Sequence, residues 1–292
     1  MDASERRGLW LMAAPFVLGV VALVVVPALG ALPMAFFEWD LVRPPRFLGL
    51  GNFEELVDDP VFRIALRNAL FFLIAAVPLR LLGALALALV LARRGRPRAA
   101  GRGAVVTPTM IPDAAYALIW LWVLNPIYGP VNLALGAVGL PTPAWLSQPT
   151  AARWAIVLML VFQLGEGFLI ALIARRQVPE ELLDIATING AGRWGRFTRV
   201  TLPMILPALA LIAIRDTILV LHTTFVPALL VTEGGPPPFA TTALSLFTYR
   251  NAFEYLRYGY AAAATVVMLV LAASISWLLY RSVARWTGRV AG

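Results

Sequence analysis

Five charged residues stand inside long apolar runs of this sequence: Arg80, Asp113, Glu166, Arg215 and Asp216. A charge near the centre of a bilayer costs at least about 2.5 kcal/mol on insertion scales, so such residues usually face one another or a polar cavity. Two guanidinium groups and three carboxylates come close to electrical balance. Together they can donate and accept the paired hydrogen bonds that suit a molecule rich in hydroxyl groups.

Four other side chains could complete such a cavity: Tyr116, Gln163, His222 and Thr223. The sequence leaves two interpretations open. The charges and their neighbours could line a translocation cavity, or they could be structural pairs that fix helix packing. Tyr116 has a further alternative, because tyrosine and tryptophan also collect in belts at membrane interfaces.

The composition excludes several classes of chemistry. Every basic side chain is arginine, and a Walker-type phosphate loop needs a lysine that reaches the terminal phosphates. There is no cysteine and a single histidine, so we expect neither thiol chemistry nor a metal site built on several such ligands. The net charge of +8 is dispersed between apolar runs, which argues against a nucleic-acid partner. The energy for function must therefore come from a partner or an ion gradient.

The elements that position these residues are membrane-spanning helices. Hydrophobic residues make up 60% of the 292 positions, and about 20 apolar residues cross a bilayer. We therefore predict an all-α integral membrane protein with one polytopic domain over residues 1–292. The first apolar run is too long for a signal peptide, so we expect it to be retained. The predicted spans cover about residues 9–37, 69–92, 104–124, 152–174, 204–226 and 260–280.

Arginines predict the orientation of these spans. They precede the first span, fill the short loop from Arg93 to Arg102, flank the segment 177–203 and follow the last span. The alternate loops are poor in arginine. The positive-inside rule therefore places both termini and the segment 177–203 in the cytoplasm. We expect a multi-pass protein of a bacterial or archaeal cell (inner) membrane, in contact with lipid.

The segment 177–203 is the one long polar stretch between two predicted spans. Pro179 fits a first helical position, and acidic residues follow it, where the helix dipole favours negative charge. Leu182, Leu183, Ile185 and Ala186 are spaced to share one apolar face. Asn189-Gly190 is a turn signal, after which a second short helix would run until Pro203. The pattern predicts a helix-turn-helix on one side of the membrane that offers an apolar stripe to a partner.

This helix-turn-helix resembles the cytoplasmic coupling loop of permease subunits of binding-protein-dependent ABC importers. The family pattern reads Glu-Ala-Ala, three residues, Gly, nine residues, Ile, one residue, Leu-Pro. Asp184, Ile185 and Ala186 fill its first places here, with Asp for Glu and Ile for the first Ala. Gly190 fills the glycine place, and Val200, Leu202 and Pro203 complete the pattern. The resemblance implies an ATPase-coupling loop that includes Glu181, Asp184, Ile185, Ala186, Asn189, Gly190, Ala191, Val200, Leu202 and Pro203.

Other segments are similar to carbohydrate-type permeases, specifically to the maltose-type first permease subunit. They are residues 47–70, 125–135, 145–149 and 231–253, in the order that the family has them. The resemblance implies a type I ABC importer permease fold. It also implies a second, homologous permease subunit, two ATP-binding subunits and an extracytoplasmic solute-binding protein that delivers a sugar. No cofactor is expected in this chain, because ATP and Mg²⁺ would be bound by the partner ATPase.

Two alternatives from other classes remain. A secondary transporter or channel could use Arg80, Glu166 and Asp216 as an ion path, although no inverted repeat of spans is evident. A membrane-embedded enzyme is the other, but no pair of nucleophile and base stands out within the spans. We therefore predict a non-catalytic subunit.

Overall fold

The computed structural model describes residues 3–92, 95–236 and 239–290, and helices form most of this part of the chain. The α-helices in chain order are α1 (Ala3–Val20), α2 (Val26–Met34), α3 (Gly51–Asp58), α4 (Pro60–Leu91), α5 (Arg96–Val106), α6 (Asp113–Val123), α7 (Pro130–Ala137), α8 (Pro149–Phe162), α9 (Gly165–Arg176), α10 (Glu180–Ile188), α11 (Arg193–Arg196), α12 (Leu202–Thr223), α13 (Phe225–Leu230), α14 (Leu244–Tyr249) and α15 (Tyr258–Val290). The short elements between them are the antiparallel strands β1 (Phe37–Glu38) and β2 (Arg46–Phe47), a 3-10 turn at Thr107–Met110, and π-helical turns at Val21–Val25, Phe197–Thr201 and Arg250–Glu254.

Long apolar helices confirm the predicted all-α membrane fold. Four helical stretches in the described residues are long and apolar enough to cross a bilayer: Trp10–Met34, Pro60–Leu91, Arg193–Leu230 and Tyr258–Arg285. The number rises to six if each of two bent helix pairs forms one span. These pairs are Arg96–Met110 with Asp113–Val123, and Pro149–Phe162 with Gly165–Arg176.

The third predicted span, residues 104–124, is not one straight helix. The stretches on either side of Ile111 and Pro112 meet at 105°. The cause is local, because the proline ring disfavours helical backbone at the preceding residue, and Ile111 is extended with φ −79° and ψ 131°. α6 has 11 residues and is therefore only about 16 Å long, which is short of a bilayer's hydrocarbon core.

The sequence predicted that Pro203 ends the second helix of the segment 177–203, and this prediction is wrong. The helix continues from Arg193 to Leu230. A π-helical turn at Phe197–Thr201 precedes the proline, and the Leu202 N–H donates to the Phe197 carbonyl five residues back. This wider turn accommodates a residue that cannot donate to its own i−4 carbonyl. Pro27 follows the π-helical turn Val21–Val25 in the same way.

The chain divides into two compact units, of which the first covers residues 1–59 and 248–267. Its described part contains the β1–β2 hairpin, and the Asn52 amide donates to the carbonyls of Ala35 and Phe37, both at 2.9 Å. Arg257 lies 2.5 Å from Glu55. In the hairpin loop, the backbone N–H of Arg43 donates to Asp40 and holds the pKa of that carboxyl below its usual value.

The second unit covers residues 60–247 and 268–292, and its core lies where α4, α9 and α12 pack together. Alanines at buried positions allow these helices to approach closely, and larger side chains fill the spaces between them. The buried members include Ala84, Ala88, Phe168, Ala171, Leu172, Ile205, Leu209 and Ile212.

Gly167 marks a close approach in this core, and we expect Gly167→Leu to destabilise the protein by about 1–3 kcal/mol, since overpacking forces side chains off their rotamers. A Cβ at Gly167 would lie 3.1 Å from the Ile212 Cγ2 and 3.8 Å from the Ala84 Cβ. Thermal unfolding in detergent checks this expectation. The matched control is Gly30→Leu, because a Cβ at Gly30 would meet no atom within 4 Å and the change should not lower stability.

Candidate coupling surface and buried charge network

The segment 177–203 folds as the helix-turn-helix that the sequence predicted. α10 carries Glu180 and Glu181 in its first turn, as the helix dipole favours. Pro179 is the residue before the helix, with ψ 135°, rather than its first helical residue. α11 begins at Arg193 after a short turn and leads without a break into the long helix that ends at Leu230.

The turn after α10 is a Schellman motif, and it explains the glycine of the family pattern. Gly190 has φ +80°, which L side chains rarely adopt. The Gly190 N–H donates to the Thr187 carbonyl, and the Ala191 N–H donates to the Ala186 carbonyl, both at 2.9 Å. These two bonds satisfy carbonyls that the end of the helix leaves without intrahelical partners. Asn189 adds a third bond, from its side-chain amide to the Ile185 carbonyl at 2.9 Å.

One side of the segment is anchored in the protein core. Val178 is buried there, and Leu183, Val200 and Leu202 pack against the same cluster from partly buried positions. Arg196 ties the two short helices together, since its guanidinium donates to the Thr187 hydroxyl at 3.2 Å. A movement of α10 would therefore be transmitted to the core of α4, α9 and α12.

The opposite side of the segment exposes large apolar side chains. The exposed fractions are 41% for Leu182, 54% for Ile185, 85% for Ile188 and 75% for Trp194. We call these four residues the candidate coupling surface, or coupling surface for short; Glu181 and Asp184 are also exposed on α10. The single apolar face predicted for α10 is thus divided, because Leu183 and Ala186 are partly buried whereas Leu182 and Ile185 are exposed. Exposed apolar residues on a polar loop indicate a contact with another protein or with the membrane surface.

The second site is a buried ion pair between α4 and α12. The Arg80 Nε lies 3.0 Å from the Asp216 Oδ2, and the Arg80 Nη2 lies 3.2 Å from the Oδ1. Both side chains are 1% exposed. A bidentate pair of this kind fixes the relative rotation of two helices, since both hydrogen bonds require aligned planar groups.

Two further charged side chains extend the Arg80–Asp216 ion pair toward the surface of the unit. The Arg215 Nη1 donates to the Asp216 Oδ1 at 2.8 Å, and the same guanidinium also pairs with Glu166 on α9. The Glu166 side chain is 56% exposed. Arg80, Asp216, Arg215 and Glu166 therefore form one electrically balanced charge network that runs from a buried end to an exposed end.

Side chains also donate hydrogen bonds to backbone carbonyls at the break between α8 and α9. The helix stops at Phe162, so the carbonyls of Met159 and Leu160 lose their usual i+4 partners at Gln163 and Leu164, and the Leu160 carbonyl accepts instead from the Gln163 N–H at 3.3 Å. The Tyr116 hydroxyl donates to the Met159 carbonyl at 2.8 Å, and the Arg80 guanidinium donates to the Leu160 carbonyl. Within the hydrocarbon region such groups must find a partner in the protein. Arg80 therefore takes part in the ion pair and also donates a hydrogen bond at the break.

Tyr116→Phe removes the hydroxyl at this break, and we expect a loss of about 1–3 kcal/mol in stability, because a buried carbonyl is left without its donor. Thermal unfolding of the purified chain measures the effect. Tyr280→Phe serves as the control, since Tyr280 is exposed and its variant should unfold at the wild-type temperature. Equal unfolding temperatures for both variants would show that the hydroxyl bond is not needed at the break.

The remaining predicted cavity residues lie outside the charge network. Asp113 is the first residue of α6 and is exposed. Gln163 is partly buried at the break between α8 and α9. His222 is exposed and Thr223 partly buried at the end of α12, about two turns beyond Asp216. The structure thus brings four of the predicted residues together and places Tyr116 and Gln163 at the neighbouring break.

Sequence reasoning missed Asn68, which is buried in α4. Its side-chain amide donates to the carbonyls of Phe239 and Thr242, at 3.0 and 2.9 Å, and so fastens the loop after α13 to the helix. The signal that could have found it was an amide inside an apolar run, which needs a hydrogen-bond partner wherever it is buried.

Known proteins resemble this chain over most of its length. Residues 84–288 match the family described as the binding-protein-dependent transport system inner membrane component. The probable ABC transporter permease protein YesP of Bacillus subtilis is 32% identical, and the match covers 94% of this chain and 89% of that protein. The trehalose/maltose transport system permease protein MalF of Thermococcus litoralis is 29% identical, over 95% of this chain and 93% of that protein.

A solved structure extends the likeness to the fold. The crystal structure of a bacterial alginate ABC transporter, in complex with an alginate pentasaccharide-bound periplasmic protein, contains a chain with a TM-score of 0.79. The two chains are 25% identical, and the match covers 98% of this chain and 97% of the other. The predicted type I permease fold is therefore confirmed. The chain belongs to the family of binding-protein-dependent transport system inner membrane components, and it is a multi-pass permease subunit of an ABC importer.

Proposed function

We propose that this permease forms half of the translocation pore of an ATP-driven carbohydrate importer and couples to its ATPase through the coupling surface. The observation that carries the proposal is the exposure of Leu182, Ile185, Ile188 and Trp194 on a helix-turn-helix whose other side is anchored in the core. An amphipathic helix that lies in a groove of its partner is a common mode of recognition.

We infer the other components from the likeness to this family. A second, homologous permease would complete the pore, and two ATP-binding subunits would bind ATP and Mg²⁺. A solute-binding protein would deliver the cargo from outside the cell. The distribution of arginine supports cytoplasmic placement of both termini and of α10.

Coupling depends on the continuous helix from Arg193 to Leu230. Between Trp194 and Asp216 it extends for roughly 33 Å, so it connects the coupling surface directly to the charge network. Closure of the ATPase subunits would pull α10, and this helix would carry the displacement to the contacts with α4 and α9. Alternating access would follow when these contacts rearrange between an inward-facing and an outward-facing state.

A carbohydrate cargo is supported by the relatives, which include permeases of trehalose/maltose and lactose transport systems. Glu166 and Arg215 form the exposed end of the charge network and could exchange hydrogen bonds with hydroxyl groups that pass through the pore. The identity of the sugar would depend largely on the solute-binding protein.

The test is affinity purification of the chain from its native membrane in mild detergent, followed by identification of bound proteins and an ATPase assay. We expect a second permease and a P-loop ATPase, with turnover raised by the sugar-loaded binding protein. A variant with Ile185→Glu and Ile188→Glu should lose the ATPase, whereas Leu140→Glu, at an exposed leucine after α7, should retain it. Recovery of the chain without an ATPase, together with uptake that stops when the ion gradient collapses, would instead favour a secondary transporter.

A further inference from the structure

The helices α9 and α12 flank the segment 177–203. α9 ends at Arg176, directly before the segment, and α12 begins at Leu202 as part of the helix that starts at Arg193. A displacement of the coupling surface therefore acts on both helices. The contacts between α9 and α12 decide whether the two move as one body or separate.

Apolar packing and an ion pair hold α9 against α12. The packing is close at Gly167, where a Cβ would lie 3.1 Å from the Ile212 Cγ2. The ion pair joins Glu166 of α9 to Arg215 of α12, and within the described residues it is the one ion pair between these two helices. Its loss would leave α9 and α12 joined by apolar contacts, which allow small displacements more easily than a directional bond does.

The two ends of the charge network differ in exposure. The side chains of Arg80 and Asp216 are 1% exposed, whereas Glu166 is 56% and Arg215 is 28% exposed. Both exposed residues lie near the middle of predicted spans, within the stretches Gly165–Arg176 and Arg193–Leu230. Charged side chains at this depth face a water-filled cavity or other protein groups rather than lipid. The open side of the Glu166–Arg215 pair is therefore in polar surroundings.

This difference in exposure makes the outer pair the easier one to open. Separation of Arg80 from Asp216 would leave a charged guanidinium with no access to water, which is strongly unfavourable. When Glu166 leaves Arg215, its carboxylate enters polar surroundings, and Arg215 keeps its hydrogen bond to the Asp216 Oδ1 at 2.8 Å. The inner pair is thus a fixed contact between α4 and α12, and the outer pair is a releasable contact between α9 and α12.

The break before α9 gives this helix freedom to move. α8 ends at Phe162 and α9 begins at Gly165, and the two helices meet at 44°. Because no continuous helix crosses the break, α9 can change its tilt relative to α8 without disrupting regular hydrogen bonds inside either helix. The releasable pair lies on the first turn of α9, directly after this break.

We propose that the Glu166–Arg215 pair is a latch, which holds α9 against α12 in the conformation of this structure and opens when nucleotide closes the ATPase subunits. Opening frees a carboxylate and a guanidinium together, so the groups that meet cargo hydroxyls become available in the conformation in which the helices have separated. The inference rests on the proposed function, because the ATPase supplies the pull on the segment 177–203.

The test measures the separation of α9 and α12 in the purified transporter by electron paramagnetic resonance. Spin labels are attached at Ile173→Cys and Leu211→Cys, two exposed positions on these helices, and the chain has no cysteine of its own. Dipolar broadening marks the closed latch, and samples with a single introduced cysteine give the spectrum without broadening. With nucleotide absent, Glu166→Gln should raise the ratio of unbroadened to broadened spectrum about threefold, in line with the modest strength of a partly exposed ion pair.

Two further variants show whether the pair itself is the cause. Arg215→Gln should produce a similar change, and the double variant Glu166→Gln and Arg215→Gln should add little to either single change, because both remove the same interaction. Glu38→Gln is the matched control; Glu38 pairs with Arg46 at 3.8 Å in the β1–β2 hairpin, and its loss should leave the spectrum unchanged. Either single variant is sufficient for the test if the other does not fold.

Three results would overturn the latch. The first is a Glu166→Gln spectrum equal to that of Glu38→Gln, and the second is a double variant whose change is the sum of the two single changes. The third is broadening that nucleotide does not alter in a sample in which the ATPase is present and active. A sample without any ATPase would instead contradict the proposed function, and the comparison of variants without nucleotide would still decide whether the pair holds the two helices together.

Discussion

Transport is expected to fall at least tenfold when Gly190 is replaced by leucine, while the protein still inserts into the membrane. The reason is the backbone, because Gly190 has φ +80° and a left-handed conformation costs an L residue about 1–2 kcal/mol. No atom lies within 4 Å of a Cβ at this position, so no clash contributes. The cost falls on the Schellman turn, and its rearrangement would shift α11 relative to α10. Uptake of labelled cargo by cells or proteoliposomes measures the loss.

Two variants separate this explanation from a general sensitivity of the loop. Gly190→Asn should transport close to the wild-type rate, because asparagine tolerates the left-handed region. Gly192→Ala should also be active, since Gly192 has φ −66° and open space around it. Wild-type transport by Gly190→Leu, or equal losses in all three variants, would contradict the role assigned to the turn.

Replacement of Arg80 by methionine is expected to lower the free energy of unfolding by about 3–5 kcal/mol, which is the usual cost when one partner of a buried ion pair is removed. The change leaves the Asp216 carboxylate buried at 1% exposure with Arg215 as its remaining partner. It also removes one of the two donors to the Leu160 carbonyl at the break between α8 and α9; the Gln163 N–H remains. Thermal unfolding in detergent or nanodiscs should show a correspondingly lower midpoint.

A second substitution tests whether the uncompensated charge is the cause. The double variant Arg80→Met and Asp216→Asn should be more stable than Arg80→Met alone, because no buried carboxylate is left without its main partner. Arg43→Met is the control for arginine removal; Arg43 forms an exposed pair with Asp40 at 3.9 Å, and its loss should leave the midpoint unchanged. The explanation fails if the double variant unfolds at a lower temperature than the single one.

The helix-turn-helix at residues 177–203 was predictable in outline because most of its signals are local. The Asn189-Gly190 turn, the acidic first turn and the helix between them depend on backbone preferences within a few positions. The continuation of the helix through Pro203 was not predictable in this way. It depends on a π-helical turn at Phe197–Thr201, and nothing in local preference indicates that turn. The membrane orientation and the contact with an ATPase remain predictions.

The buried charges show where sequence reasoning stops. Composition and hydropathy mark five charged residues within apolar runs, but they do not say which will pair. Arg80 pairs with Asp216, which is 136 positions away, while Asp113 lies exposed at the start of α6. Which charged residues pair depends on the rotation of each helix about its axis and on the break in the fourth span. Helix packing decides both.

The sequence by itself determined the membrane class, the approximate spans and the helix-turn-helix, because hydropathy, helix length and turn preference act over short stretches of chain. Only the tertiary structure decided the division of α10 into an anchored and an exposed side and the order of the charge network. These features require contacts between distant segments, and the free energy of such contacts depends on neighbours that no local pattern specifies.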